Sequence, residues 1–155
     1  GNDIKLSEDR VRGYRNFATK VWNATRFVLL HMETPPDARK ISYGRQEKAM
    51  LAKLHKLVSD TTRDLEVFKL HRAADRLYHF FWHYYADKVI EAMKPLLDST
   101  EETREKETAK ALLLEFHTTL IMLLHPFMPF ITEEIWAQLP KKKNQPLIIA
   151  PWPKL

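Results

Sequence analysis

With 155 residues, 45% of them hydrophobic and 29% charged, the chain is long enough to enclose one apolar core and far from the composition of a disordered polymer. Its three glycines, Gly1, Gly13 and Gly44, are too scattered for a glycine-rich phosphate loop, and the absence of cysteine excludes disulfides, thiol catalysis and thiolate zinc sites. No run approaches the roughly 18 apolar residues of a membrane helix and no apolar signal core stands near the start, so a soluble, cytoplasmic protein without a membrane partner is expected.

In chain order, residues 7–31 place Val11, Tyr14, Phe17, Val21, Ala24 and Val28 at three- and four-residue steps, which predicts a helix with one buried stripe. Ser7, with Glu8 and Asp9 behind it, suits the start of that helix, and Pro35 and Pro36 end it. A second helix is expected over 45–59 with Met50, Leu54, Leu57 and Val58 inward, and a third, rich in aromatics, over 64–94. Pro95 with the segment Leu97, Asp98 and Ser99 closes the third, and Ser99 with Glu102 offers a capping box for a fourth. The fourth opens on a polar stretch through Glu107 read as solvated, turns apolar from Leu112, and ends near Leu124. His125, Pro126 and Pro129 interrupt the chain before a short last helix over 131–139. Lys141 to Lys143 read as a solvated basic loop, and Leu147 to Pro153 as an extended tail packed on the rest. The fold class is all-α: a bundle of four to five helices with a short extended C-terminal tail, forming one domain over residues 1–155.

The net charge of +5 is concentrated. Residues 10–40 hold seven basic side chains, Arg10, Arg12, Arg15, Lys20, Arg26, Arg39 and Lys40, against Glu33 and Asp37, and the remainder of the chain is balanced. Such a segment attracts a polyanion. On the first helix the same periodicity that buries Phe17 and Val21 puts Asn16, Lys20, Asn23 and Phe27 on the opposite side. An aromatic ring beside Lys20, Asn23 and Arg26 combines a stacking surface, cations and amide hydrogen-bonding groups, the set that reads unstacked bases. Large apolar residues are usually core, so Phe27 covered by another helix is the competing reading.

Asp75, His79, His83 and Asp87 recur every fourth residue, a spacing that could hold a metal, but Phe80 stands where a metalloprotease helix needs Glu. Hydrogen-bonded His and Asp between packed helices is the plainer account. The aromatics Tyr78, Phe80, Phe81, Trp82, Tyr84 and Tyr85 read as core and groove walls. Neither a nucleophilic triad nor a paired-carboxylate site stands out, so no catalytic and no metal-binding residue is assigned. A protein-interaction module whose basic face meets an acidic partner, and a metal-dependent hydrolase on His79, His83 and Asp87, are the rival readings.

Four stretches carry a resemblance. Gly13-Tyr-Arg-Asn-Phe-Ala-Thr-Lys-Val-Trp-Asn-Ala-Thr-Arg-Phe27, Phe81-Trp82-His83, Leu124-His-Pro-Phe-Met-Pro-Phe-Ile-Thr-Glu-Glu-Ile-Trp136 and Ala150-Pro-Trp-Pro153 together resemble the anticodon-binding domain of class I valyl-tRNA synthetases, in order and spacing across the whole chain. Leucyl and isoleucyl enzymes share the segment ending at Trp136 but lack the Lys20-x-Trp22-Asn23-Ala24 wording, and their anticodon domains are the alternative. The resemblance implies binding of the anticodon loop of a valine tRNA, with no DNA partner, by a monomer. It places Lys20, Arg26 and Phe27 against anticodon bases; Asn16 and Asn23, from the same face of the helix, and Arg12 and Arg15, from the basic segment, are the further tRNA-binding residues expected. The sequence departs from the family wording at residues 86–91, Ala-Asp-Lys-Val-Ile-Glu. The signatures His-x-Gly-His and Lys-Met-Ser-Lys-Ser are absent, so valine activation, ATP and magnesium are expected in a catalytic part outside this chain, and no cofactor within it.

Overall fold

The computed structural model describes residues 2–140 and 145–154, with side chains from residue 8 onward. Its elements are α1 (Asn2–Leu30), a 3-10 turn (Ala38–Lys40), α2 (Arg45–Glu66), α3 (Leu70–His79), a π-helical segment (Phe80–Ile90), α4 (Glu91–Leu97), α5 (Arg104–Leu124), α6 (Pro129–Gln138) and a 3-10 turn (Leu147–Ile149). α3, the π segment and α4 follow one another without a gap. No strand occurs among the described residues.

α5 is the axis of the bundle. It touches α1, α2, α3, the π segment, α4 and α6, and Leu112, Leu113, Phe116, Leu120, Ile121 and Leu123 are all fully buried. These side chains lie on several sides of the helix, leaving Glu115 exposed, and neighbours that cover all of those sides put α5 in the centre. Around it, Phe17, Val21, Ala24 and Val28 of α1, Leu54, Leu57 and Val58 of α2, and Phe81, Tyr85 and Val89 of the π segment complete the core. Tyr85 stacks on Phe116 at 5.6 Å and 7°, and Phe17 meets Phe81 edge-on at 5.7 Å and 87°. Both are preferred aromatic geometries.

Several sequence expectations need correction. α1 starts five residues before Ser7, which is therefore inside the helix. Val11 and Tyr14, placed in the buried stripe, are 49% and 53% exposed, because α1 is uncovered from Glu8 through Asn16 and meets the bundle first at Phe17. The second helix continues past Ser59 to Glu66, and the third starts at Leu70. Between them Phe68 takes a left-handed φ of 59°, with Phe68 N–H bonded to Leu65 and Lys69 N–H to Asp64 at 2.7 Å, a Schellman end. Buried Asp64 then receives Arg76 Nε at 3.0 Å and Arg72 at 3.7 Å, which staples the turn. Pro95 lies inside α4, and the helix ends where the segment after it was expected to close it, at Leu97 with Asp98 as its C-cap.

The cap of α5 is Thr103, whose hydroxyl accepts from Lys106 N–H at 3.1 Å, in place of the Ser99 and Glu102 box. The polar opening of α5 is only partly solvated: Glu107 and Lys110 are buried and face each other at 3.5 Å, and Glu107 also accepts the Asp37 N–H at 2.7 Å. Burial opposes ionisation of Glu107, but the Asp37 N–H and Lys110 outweigh it and hold its pKa below the usual value. The tail packs on the bundle as expected, but residues 147–149 form a 3-10 turn between extended Pro146 and Ala150; it is anchored by buried Leu147, by Glu133 accepting the Leu147 N–H at 2.6 Å, and by Trp152 Nε1 donating to Thr62 at 2.9 Å. The basic run Lys141 to Lys143 lies outside the described residues.

Candidate nucleic-acid interface

Behind the interface a buried polar network sets the rotation of α1. Thr25 Oγ1 bonds to the Val21 carbonyl at 2.8 Å and to His117 Nε2 at 2.8 Å, and Tyr85 OH lies 2.9 Å from His117 Nδ1. Thr25 has one proton, which the carbonyl takes, so Nε2 is the protonated ring nitrogen and Tyr85 donates to Nδ1. All three groups are then satisfied by a neutral imidazole. Desolvation lowers the pKa of His117 to about 3, in keeping with that tautomer. Threonine, histidine and tyrosine thereby tie α1, α5 and the π segment at one depth.

With α1 turned this way, Lys20, Asn23, Ala24 and Phe27 form one wall of a cleft of about 180 Å³, and Ala86, Ile90, Glu91 and Lys94 form the other. Phe27 is half-buried: it packs on the core, while its ring also lines the cleft, 4.8 Å from the His31 ring and 5.8 Å from Lys94 Nζ. Lys20 Nζ sits 5.3 Å over Trp82 and 4.0 Å from Asp87, a long and exposed ion pair. Lys94 contacts Glu91 at 2.6 Å. Pairs this exposed contribute little, so either ammonium can turn to a competing phosphate or base edge.

The remaining assigned residues separate. Arg26 lies on the flank of α1 beside Trp22, Leu29 and Gln138, linked to the cleft through its 3.4 Å hydrogen bond to Asn23. Arg12, Arg15 and Asn16 group on the uncovered end of α1, all exposed. At about 1.5 Å per residue, Arg12 is about 22 Å along the axis from Phe27, too far to share one base with it. The cleft's two lysines are matched by Asp87 and Glu91, whereas Arg10, Arg12 and Arg15 meet no carboxylate among the described residues. The uncompensated positive charge of α1 and its aromatic, amide-bearing cleft therefore occupy different places among the described residues.

Lys94, Glu91, Ala86 and Ile90 were not assigned from the sequence, although Ala86, Ile90 and Glu91 belong to the stretch that departs from the family wording. Their approach to α1 depends on the π register, for which the sequence carries no signal. The polar series resolves into pairs: His79 with Asp75 at 3.3 Å, His83 with Asp87 at 3.8 Å, and the two imidazoles stacked at 5.6 Å, all exposed rather than enclosed between helices. No three His, Asp or Glu side chains are grouped to hold a metal among the described residues. No helix among them is long and apolar enough to cross a membrane.

An all-α bundle with an arginine-bearing helix end and a small aromatic cleft has the build of a recognition domain. The family model for the anticodon-binding domain of tRNA ligase matches residues 47–155, and the chain belongs to that family. Valine–tRNA ligases of Geobacter sulfurreducens, Thermotoga maritima and Aquifex aeolicus are 40%, 39% and 37% identical to it over 159, 155 and 169 residues, covering 99%, 100% and 99% of this chain and so α1 as well. The chain spans 18%, 17% and 14% of those relatives' lengths.

Proposed function

We propose that this chain grips the anticodon loop of a valine-accepting tRNA on behalf of a cytoplasmic valine–tRNA ligase whose ATP-dependent chemistry lies outside it. The observation that carries the reading is the cleft in which Lys20, Asn23 and Phe27 face Lys94, in a member of the anticodon-binding family similar over its full length to valine–tRNA ligases. An unstacked base enters against the Phe27 ring, Asn23 offers an amide to its edge, and Lys20 and Lys94 release their carboxylates to meet the strand. Arg12 and Arg15 hold phosphates further along α1, and Arg26 holds one on the flank. The contribution to aminoacylation is positioning: a tRNA held at one end delivers the other to a distant active site.

The test is a titration of the chain with a valine-tRNA anticodon stem-loop and with the same RNA carrying a changed anticodon. Phe27→Ala is expected to cost about 1 to 3 kcal/mol of binding to the matched loop. Arg12→Glu or Arg15→Glu is expected to weaken both RNAs equally and to lower the log-log salt slope by about one unit each. Equal affinity of the wild type for the two loops, or Phe27→Ala binding like the wild type, refutes the assignment.

A further inference from the structure

On the other side of the π segment lies a larger groove, of about 580 Å³, between α2 and the residues His79, Phe80, His83, Tyr84 and Lys88. It falls within the size range of small-ligand pockets, roughly 300 to 1,000 Å³. Leu57, Phe80 and Tyr84 make its floor; the two rings are half-buried and tilted against each other at 5.0 Å and 55°. Lys53 stands over Tyr84 at 4.7 Å from the ring centre. On the rim, Lys56 and Arg76 are held by Asp60 at 2.6 and 3.4 Å, but Lys53 and Lys88, both exposed, meet no carboxylate among the described residues.

This groove is therefore the converse of the α1 cleft, where each lysine has its carboxylate. It joins an apolar aromatic floor to two uncompensated cations, which complements an anion with a flat apolar part. The two recesses are neighbours. Asp87 links a residue of each, with one carboxylate oxygen 4.0 Å from Lys20 and the other 3.8 Å from His83.

Resting on the anticodon-loop reading, we propose that the groove between α2 and the π segment takes a second, adjacent nucleotide of the same RNA strand. Its base lies against Phe80 and Tyr84, and its phosphate lies between Lys53 and Lys88. Lys53 moves off the Tyr84 face as the base enters and keeps contact through the phosphate. The strand crosses the Asp87 ridge, so the π segment lines both nucleotide sites with opposite faces.

Lys53→Glu and Lys88→Glu test this, with Arg104→Glu as a control of equal charge change on an exposed residue outside both recesses. Binding of the valine anticodon stem-loop is expected to fall about tenfold for each groove variant, with the salt slope reduced by about one unit, and by less than half as much for the control. Replacing loop nucleotides one at a time by abasic residues is expected to find one position, besides the one sensed by Phe27→Ala, whose loss has no further effect in Tyr84→Leu. Groove variants that bind like Arg104→Glu while Phe27→Ala loses affinity overturn the second site and leave the anticodon cleft standing. A wild-type chain that binds no stem-loop overturns both. If the groove variants lose binding of a polyglutamate peptide and retain RNA, the groove is a protein-docking surface and the proposal fails.

Discussion

His117 should make the fold acid-sensitive. In the folded chain its imidazole is enclosed and its pKa lies near about 3, whereas the unfolded chain has the ordinary value of 6.5. Below that value the unfolded state binds a proton that the folded state refuses. The stabilisation is thus complete above the unfolded pKa and is lost as the pH falls toward the folded one, at about 1.4 kcal/mol per pH unit. Between about pH 7 and pH 5 the loss comes to about 2 kcal/mol, a large part of the roughly 5 to 15 kcal/mol that holds a domain together. The assay is urea unfolding followed by circular dichroism at both pH values, in the wild type and in His117→Gln, whose amide offers a donor and an acceptor but does not titrate. Asp60 and Glu107, whose pKa values are lowered, add an acid dependence common to both proteins. The wild type should lose about 2 kcal/mol more than the variant over this interval. Equal losses, or an NMR titration placing His117 near its ordinary pKa in the folded chain, would refute the neutral buried network.

Phe17→Ala, which empties the space between Tyr78 at 5.1 Å and Phe81 at 5.7 Å, should cost about 3 to 5 kcal/mol of stability by thermal or chemical melting; a loss below about 1 kcal/mol would mean that α1 is not packed there. Phe68→Gly should stabilise the fold by about 1 kcal/mol, because glycine occupies a left-handed φ without the steric penalty that phenylalanine bears, and 88% exposure leaves little packing to lose; destabilisation would contradict the Schellman end. Trp152→Phe, which removes the hydrogen bond to Thr62, should leave the global unfolding midpoint within about 1 kcal/mol of the wild type while speeding proteolysis after residue 145; unchanged cleavage would show that this bond does not anchor the tail.

Much of the bundle was legible because helical periodicity is local. Phe17, Val21, Ala24 and Val28 announced a buried face of α1, and the apolar run from Leu112 announced core residues. Lys20, Asn23 and Phe27 were separable from that face by angle alone. What periodicity does not say is what covers a face: Val11 and Tyr14 obey the same pattern as Phe17 yet stand exposed, because α1 outruns its neighbours. Nor does it reveal a break that lacks the usual glycine, as at Phe68. The hydrogen-bond register of residues 80–90 was equally hidden. A turn closed by i to i+5 bonds differs little in local preference from an α turn, and packing decides between them. Here Phe81, Tyr85 and Val89 are accommodated against α5, and the longer turn keeps His79, His83 and Asp87 in line. The sequence by itself determined an all-α chain with an aromatic and basic first helix. The second wall of the cleft and the groove beside it were decided by the tertiary structure, since contacts between α1, α2 and residues 80–94 join side chains dozens of positions apart, and only the shared core against α5 brings them together.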